Sequence, residues 1–374
     1  MKLIIISIDR NLLQESSTVR LRMERFGALV DGIEIILLGA GAEAEVILKN
    51  NVRVHAVSGN KLISTLKAVY RSRNYSTPET VIMTQDPFEL GVIGWVASLI
   101  SRRPLNVHVH IDFFSSYFRS ESWRQNIQAK IAPFVLRRAN SIRVVSKKIA
   151  DYMVKELRIP VYKIIIAPIF VEARKLQNTP VTVDLHSSFP RFDFIVLIAC
   201  RFVEQKNIPL AIEAFEQFRK NHQNAGLVIA GSGPLQNEIK GIVNAKGLES
   251  SIIVGAWVGD FASCMKSCDA FLLSSDYEGW GMTVIEAASL GKPIIMTDVG
   301  CAGEFLVHEK NGLVVPVRDP VAISNALTRY YSDRQFARDM GANANRDALS
   351  YMSKSENDGL LLASWQSAVD NHKK

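Results

Sequence analysis

The sequence predicts an α/β protein built from two doubly wound domains, and three observations carry that expectation. Short runs rich in Ile and Val alternate along the whole chain with longer helix-like stretches. Those runs are apolar nearly throughout rather than at every second residue, the pattern of parallel strands covered on both faces. The length, 374 residues, suits about two domains of ~150–200 residues, each large enough to bury its own core.

In the first half the runs predict strands over residues 3–8, 34–38, 52–57, 81–84, 105–110, 141–145 and 163–167. In the second half they predict strands over 194–199, 225–230, 252–254, 270–274, 294–297 and 313–315. Between the halves, residues 177–193 show weak periodicity and carry Pro180, Ser187, Ser188 and Pro190, so they are expected to form a linker. The expected domains are therefore 1–176 and 194–352, with a helical tail over 353–374 that packs back on the first domain. In such folds ligands bind at the carboxyl ends of the strands, here in a cleft between two facing domains.

Composition narrows the class. With 48% hydrophobic and 22% charged residues and no low-complexity block, the chain is neither disordered, coiled coil nor collagen-like. Cys200, Cys264, Cys268 and Cys301 are too few and scattered for a disulfide framework or a four-ligand zinc site, which fits a reducing cytosol. No run reaches the ~18–20 apolar residues of a membrane-spanning helix. The N-terminus, MKLIIISIDR, lacks the long apolar core of a secretory signal. A cytoplasmic protein is expected.

The net charge of +7 is unevenly placed. Up to residue 190 there are 26 basic and 16 acidic residues, against 18 and 21 beyond it. Residues 102–148 alone carry ten cations against Asp112 and Glu121. Phe113, Phe114, Tyr117, Phe118 and Trp123 lie in the same window, followed by Ile127, Ile131, Phe134 and Val135 at helical spacing, with Pro133 interrupting. Two readings stand: a core-facing helix with a solvated basic back, or a surface for an anionic membrane or phosphate-bearing lipid. On the second reading Arg119, Arg124, Lys130, Arg137 and Arg138 form the contact patch. No nucleic-acid motif accompanies it.

Three segments carry chemistry. In CDAFLLSSDYEGWGMTVIEAASLGKPII, residues 268–295, a buried strand ends in a polar loop that places Glu278 at a carboxyl end. Gly279 and Gly281 then open a helix whose first amides, from Gly281, Met282 and Thr283, suit phosphate. Glu286 sits early in that helix, where a carboxylate suits a ribose diol. In ACRFVEQKNIPLAIEAF, residues 199–215, Arg201 and Lys206 directly follow a strand, well placed to neutralise a diphosphate. In LVIAGSGPL, Gly231 and Gly233 form a tight turn after a strand that lets a ligand, here the donor, approach the backbone; Gln236 stands where a dinucleotide fingerprint needs a small residue.

Taken together, Arg201, Lys206, the GSGPL turn and the E-x7-E spacing of Glu278 and Glu286 within EGWGMTVIEA resemble glycosyltransferase family 4, whose members are retaining enzymes of the GT-B fold. The resemblance covers nearly all of residues 194–316. It implies that Arg201 and Lys206 hold a donor diphosphate, that Glu278 contacts donor-sugar hydroxyls, and that Glu286 binds ribose. It also implies that the Gly281–Thr283 amides meet phosphate or sugar. Trp280 stands where Phe is most common. In the first domain, NVHVHIDFFSSYF resembles the segment with the family's cleft histidine, here His110, whose neutral imidazole would accept a hydrogen bond from the donor sugar. The family's Gly-Gly loop is replaced by SIDRNLLQESSTVR, where Ser16, Ser17 and Thr18 are the candidate phosphate contacts.

The function so implied is a retaining, metal-independent transfer of a sugar from a nucleotide diphosphate donor, UDP-sugar or GDP-mannose. The acceptor would be a glycan or lipid-linked molecule of cell-surface polysaccharide or glycolipid synthesis. No cofactor is expected. Rival readings rest on less. His108, His110 and Asp112 on one strand face suggest a metal-dependent hydrolase, yet no further ligand cluster exists and no D-x-D occurs. GAGAEA, residues 39–44, fits G-x-G-x-x-A, but no acidic residue lies ~20 positions on. A non-catalytic two-lobed sugar-binding protein shares the domain pattern, and the paired cations count against it.

Overall fold

A computed structural model describes residues 1–256 and 260–373, which form two compact units. Unit 1 comprises Met1–Pro168 and the chain from Ser355 onward; unit 2 is Ile169–Lys354. The stretch 177–193, expected as a linker, lies inside unit 2. It holds parts of two short helices, Ala173–Asn178 and Leu185–Ser188, of six and four residues, too short to show a helical repeat. Side-chain caps fix it there: Thr182 N donates to Ser263 Oγ (2.9 Å) and Leu185 N to Ser267 Oγ (3.1 Å).

Unit 1 is an eight-stranded sheet: β1 (Lys2–Ser7), β2 (Gly32–Leu38), β3 (Ala44–Leu48), β4 (Val52–Val57), β5 (Thr80–Thr84), β6 (Leu105–Val109), β7 (Ser141–Val144) and β8 (Ile164–Ile166). Their order is 3-4-2-1-5-6-7-8, parallel except for the β3–β4 pair. The central strands are buried on both faces because both faces are covered, as their unbroken apolar runs require. On one face, helices Thr18–Gly27 and Lys354–His372 supply Met23, Phe26, Leu361 and Trp365 to a core with Leu3, Ile5 and Ile35. Trp365 is fully buried, edge-on to Phe26 at 5.5 Å. The C-terminal helix is thus part of unit 1.

Helices Lys61–Tyr75, Glu89–Ser101 and Trp123–Arg138 pack side by side elsewhere on the sheet. Gly94 lets the middle helix sit directly on β5: a Cβ there would stand 2.3 Å from the Thr84 methyl. The third helix is continuous through Pro133, which costs one intrahelical bond without ending it. No helix among the described residues is long and apolar enough to cross a membrane.

Unit 2 is a six-stranded parallel sheet: β9 (Phe194–Ala199), β10 (Ala225–Ala230), β11 (Ile252–Ala256), β12 (Ala270–Leu273), β13 (Ile294–Thr297) and β14 (Leu313–Val315), ordered 11-10-9-12-13-14. From β9 the chain first winds outward to β10 and β11, then returns to β12 on the other side. That reversal is the doubly wound switch point, where ligands bind beyond the carboxyl ends.

Candidate active site

The unit 2 switch point lies between β9 and β12, and most of the predicted residues there stand on the loops leaving those two strands. Lys206 Nζ is ion-paired with Glu278 Oε1, the two side chains only 19% and 9% exposed. Glu278 is itself fixed: Ser275 Oγ donates to it at 2.8 Å and Gln205 Nε2 at 3.2 Å. Gln205 also donates to the Tyr277 carbonyl at 2.9 Å, and Asp276 N to the Gln205 carbonyl at 2.9 Å, so the two loops are laced together. A second pair lies alongside, with Arg318 NH2 2.6 Å and Asn207 Nδ2 2.7 Å from the two Asp276 oxygens. Gln205, Ser275, Asp276 and Arg318 hold the site, and only the polar loop after β12 hints at them in the sequence.

Two predicted residues carry unused charge. Arg201 is exposed with no ion pair among the described residues. Glu286, in the helix Met282–Ser289, has no hydrogen-bond partner there either, and burial raises its carboxyl above the usual range. Gly281 precedes that helix in the left-handed region (φ 94°) and gives it no side-chain cap. Among the described residues the Met282 and Thr283 amides therefore lack a side-chain acceptor, as a phosphate site needs. Cys200, beside Lys206 and Glu278, is pushed up to about 12 by burial first, so it is a thiol and not a nucleophile.

In the GSGPL turn, contact with neighbouring backbone already requires glycine. A Cβ on Gly231 (φ 145°) would lie 1.9 Å from the Cys200 carbonyl oxygen, and one on Gly233 2.4 Å from that of Phe202. The chain leaving β9 fills the space, with Phe202 N donating to the Ser232 carbonyl at 2.9 Å. Gly231 and Gly233 thereby press the Arg201 loop against β10. Trp280 is buried, its carbonyl accepting from Cys301 N at 2.8 Å. A cavity of about 680 Å³ also opens in unit 2, but beside Phe194 and Pro293 at the opposite edge of the sheet.

In unit 1, His110 follows β6 at the carboxyl edge, and burial together with the Arg143 charge holds its imidazole well below its ordinary value, hence neutral. His108 is buried beneath it, ring centroids 5.7 Å apart. Asp112 instead accepts from the Phe114 and Ser115 amides (3.1 and 3.2 Å), and among the described residues no group of three His, Cys, Asp or Glu is placed to hold a metal. The His108–His110–Asp112 metal reading therefore fails on geometry. Ser17 caps the helix Thr18–Gly27, accepting from Arg20 N at 3.1 Å. GAGAEA leads into the exposed edge strand β3 rather than into a helix, so it is no dinucleotide fingerprint.

The unit 1 switch point lies between β1 and β5. A cavity of about 450 Å³ opens there, lined in part by Ile8, Arg10, Asp86, Phe88, Glu89 and Arg124. Of the aromatic window, Phe113, Phe114 and Phe118 are core residues, whereas Trp123 is 74% exposed. Neither reading of the helix after it holds whole. Ala132, Val135 and Leu136 are buried, yet Ile127 and Phe134 are exposed beside Arg124, Lys130, Arg137 and Arg138. Arg119 is exposed too, while Arg143, counted in the same basic window, is interior.

Comparison with known proteins gives these units their class. Residues 187–347 match the model of the family Glycosyl transferases group 1, and the chain has the GT-B fold. An uncharacterised glycosyltransferase of Methanocaldococcus jannaschii is 32% identical over 155 residues, 41% of this chain and 40% of that protein. UDP-Gal:alpha-D-GlcNAc-diphosphoundecaprenol alpha-1,3-galactosyltransferase of Escherichia coli is 26% identical over 256 residues, 65% of this chain and 64% of that protein. The chain thus matches less than two thirds of the length of either relative. Among solved structures, Anabaena HepE in complex with UDP-glucose superposes with a TM-score of 0.75 at 18% identity, covering 98% of both chains. Sucrose-phosphate synthase of Thermosynechococcus elongatus gives 0.75 at 18% identity, covering 96% of this chain and 97% of that one.

Proposed function

We propose that the protein is a retaining glycosyltransferase, in the manner of family 4, that moves a sugar from a UDP-sugar or GDP-mannose to a glycan or lipid-linked acceptor. The observation that carries this reading is the unit 2 switch point. The restrained Lys206–Glu278 pair stands there with Arg201, Glu286 and helix amides that have no partner among the described residues. This is a complement for a nucleotide, its diphosphate and a polyhydroxylated group. The group 1 match over the same residues and the nucleotide-sugar named for the E. coli relative support it.

In the reaction the acceptor oxygen bonds to the anomeric carbon on the face from which the bond to the diphosphate oxygen breaks. The acceptor's proton goes to the departing phosphate. Arg201, Lys206 and the helix amides carry the charge that grows on the diphosphate, so no metal is needed. Glu278 and His110 take donor-sugar hydroxyls, and Glu286 the ribose. Unit 1 takes the acceptor, its cavity at the β1–β5 switch point being the candidate. The test is a thermal-shift screen with UDP-, GDP-, ADP- and dTDP-sugars, then transfer assays. One donor is expected to stabilise the protein, transfer is expected to persist in EDTA, and the first-formed product is expected to keep the donor's anomeric configuration by NMR. No stabilisation by any donor would sink the reading and favour a binder of free sugar.

The exposed Trp123, Ile127 and Phe134 among Arg119, Arg124, Lys130, Arg137 and Arg138 favour a cytoplasmic enzyme working peripherally at the inner face of the membrane. At about 1 kcal/mol per cation, replacing Arg124, Lys130, Arg137 and Arg138 by Gln is expected to weaken sedimentation with phosphatidylglycerol vesicles at least tenfold. Equal binding to neutral vesicles would return the patch to solubility.

A further inference from the structure

The cavity of about 680 Å³ at the amino edge of the unit 2 sheet has no part in the proposed transfer, yet its wall gathers positive charge. Lys266, Lys292, Arg334 and Arg338 line it against one carboxylate, Asp269. They come from separate elements: Lys266 from the helix Phe261–Ser267, Lys292 from the turn before β13, and the two arginines from the helix Arg334–Tyr351. Arg334 and Arg338 lie one turn apart and share a helix face. Lys266, Lys292 and Arg334 are half-buried rather than spread in solvent. The helix Met282–Ser289 separates this cavity from the donor loops. Its first residues face the donor site and its last, Ser289, lines the cavity, eight residues or roughly 12 Å further on.

Local contacts fix these cations without neutralising them. Lys292 Nζ donates to the Lys266 and Cys268 carbonyls at 2.6 and 2.9 Å, and Lys266 Nζ to the Gln177 carbonyl at 2.8 Å and to that of Thr179. Such carbonyls at helix ends carry only partial negative charge. Neither lysine has a carboxylate partner among the described residues, and nor has Arg338, which donates to Gln335 Oε1 at 2.7 Å. Arg334 lies over the Phe194 ring, 4.3 Å from its centroid, and reaches Asp269 Oδ1 only at 3.9 Å. The other Asp269 oxygen accepts from Ile195 N at 2.7 Å and lies 2.9 Å from His186 Nε2. Positive charge therefore exceeds negative around one space, and two ammonium groups with two guanidinium forks suit the several oxygens of a phosphate. Gln177 and Asn345, also in the wall, donate their amide N–H groups to the Ser289 carbonyl at 3.0 and 2.6 Å. That leaves each amide oxygen without a partner among the described residues, as an acceptor for hydroxyl groups.

We propose that this cavity is a second ligand site, distinct from the donor site, that binds a phosphorylated sugar with its phosphate at Lys266, Lys292, Arg334 and Arg338. The experiment titrates the full chain with glucose 6-phosphate, inorganic phosphate and glucose by calorimetry. Glucose 6-phosphate is expected to bind in the millimolar range, inorganic phosphate more weakly and glucose not measurably. Arg334→Gln with Arg338→Gln is expected to raise the Kd for glucose 6-phosphate at least fivefold. Arg338→Gln alone, at an exposed position whose change leaves the core untouched, is expected to raise it at least threefold. Arg201→Ala with Lys206→Ala is expected to leave it within twofold. Smaller changes in the Arg334 and Arg338 variants, no binding by the unmutated chain, or a loss confined to the Arg201 and Lys206 variant each overturn the proposal. So does inorganic phosphate or glucose binding as tightly as glucose 6-phosphate, which would show that the two parts of the ligand are not read together. The site stands apart from the glycosyltransferase reading: UDP binding by the unmutated chain tests that reading, and its failure leaves the glucose 6-phosphate titration to decide this site.

Discussion

Lys206→Ala is expected to lower kcat for sugar transfer by roughly 10²–10³-fold, the loss seen when one preorganised charge-stabilising donor is removed. The ammonium is not a mobile surface charge. It is held at Glu278, and Glu278 is held in turn by Ser275 and Gln205 (2.8 and 3.2 Å), so on the proposed mechanism Lys206 would meet the growing charge on the leaving diphosphate without reorganising. The ground-state diphosphate still has Arg201 and the open amides of the Met282–Ser289 helix. KM should therefore rise less than kcat falls, as expected of an interaction strengthened in the transition state. Lys206→Arg should not restore the rate, because a planar fork cannot occupy the point position between Glu278 and the phosphate. The fold should tolerate the change at a cost of about 1–3 kcal/mol, since Glu278 keeps two donors. Single-turnover kinetics on a stabilising donor decide the matter. A kcat within threefold of wild type would remove Lys206 from the leaving group.

The strands were legible because parallel β structure buries both faces and writes itself as unbroken apolar runs. Phe194–Ala199, Ala225–Ala230, Ile294–Thr297 and Leu313–Val315 coincide with the sequence expectation to the residue. The edge strand Ala44–Leu48 is largely exposed and pairs antiparallel, so AEVIL carries no such run and escapes notice. The loops after β9 and β12 stood out in the sequence, since charged residues directly after buried strands have few other uses. How those charges pair was not: Glu278 to Lys206 spans 72 positions, and Arg318 to Asp276 spans 42. Arg143 was hidden for a different reason. A fully buried arginine among basic neighbours looks, in sequence, like one more surface cation.

Gly231→Ala is expected to destabilise unit 2 by at least ~3 kcal/mol, from backbone strain of ~1–3 kcal/mol and a steric clash added to it. At φ 145° the residue occupies backbone space that L side chains rarely adopt, and its Cβ would stand 1.9 Å from the Cys200 carbonyl oxygen. That oxygen cannot swing aside, because Cys200 N donates to the Ala230 carbonyl at 3.1 Å and Phe202 N to that of Ser232 at 2.9 Å on either side of the contact. Relief requires the β9 exit to move, and Arg201 moves with it. Nucleotide affinity should therefore fall together with the unfolding midpoint. Gly241→Ala is the control. It lies in the helix Gln236–Ala245, where a Cβ would meet nothing within 4 Å, and Ala there should add about 0.5–1 kcal/mol. If the two alanine variants melted alike in denaturant titrations, the turn would not be what presses the Arg201 loop into place. Opposite shifts, with UDP binding weakened only in Gly231→Ala, would show that these glycines serve the site by letting one backbone approach another.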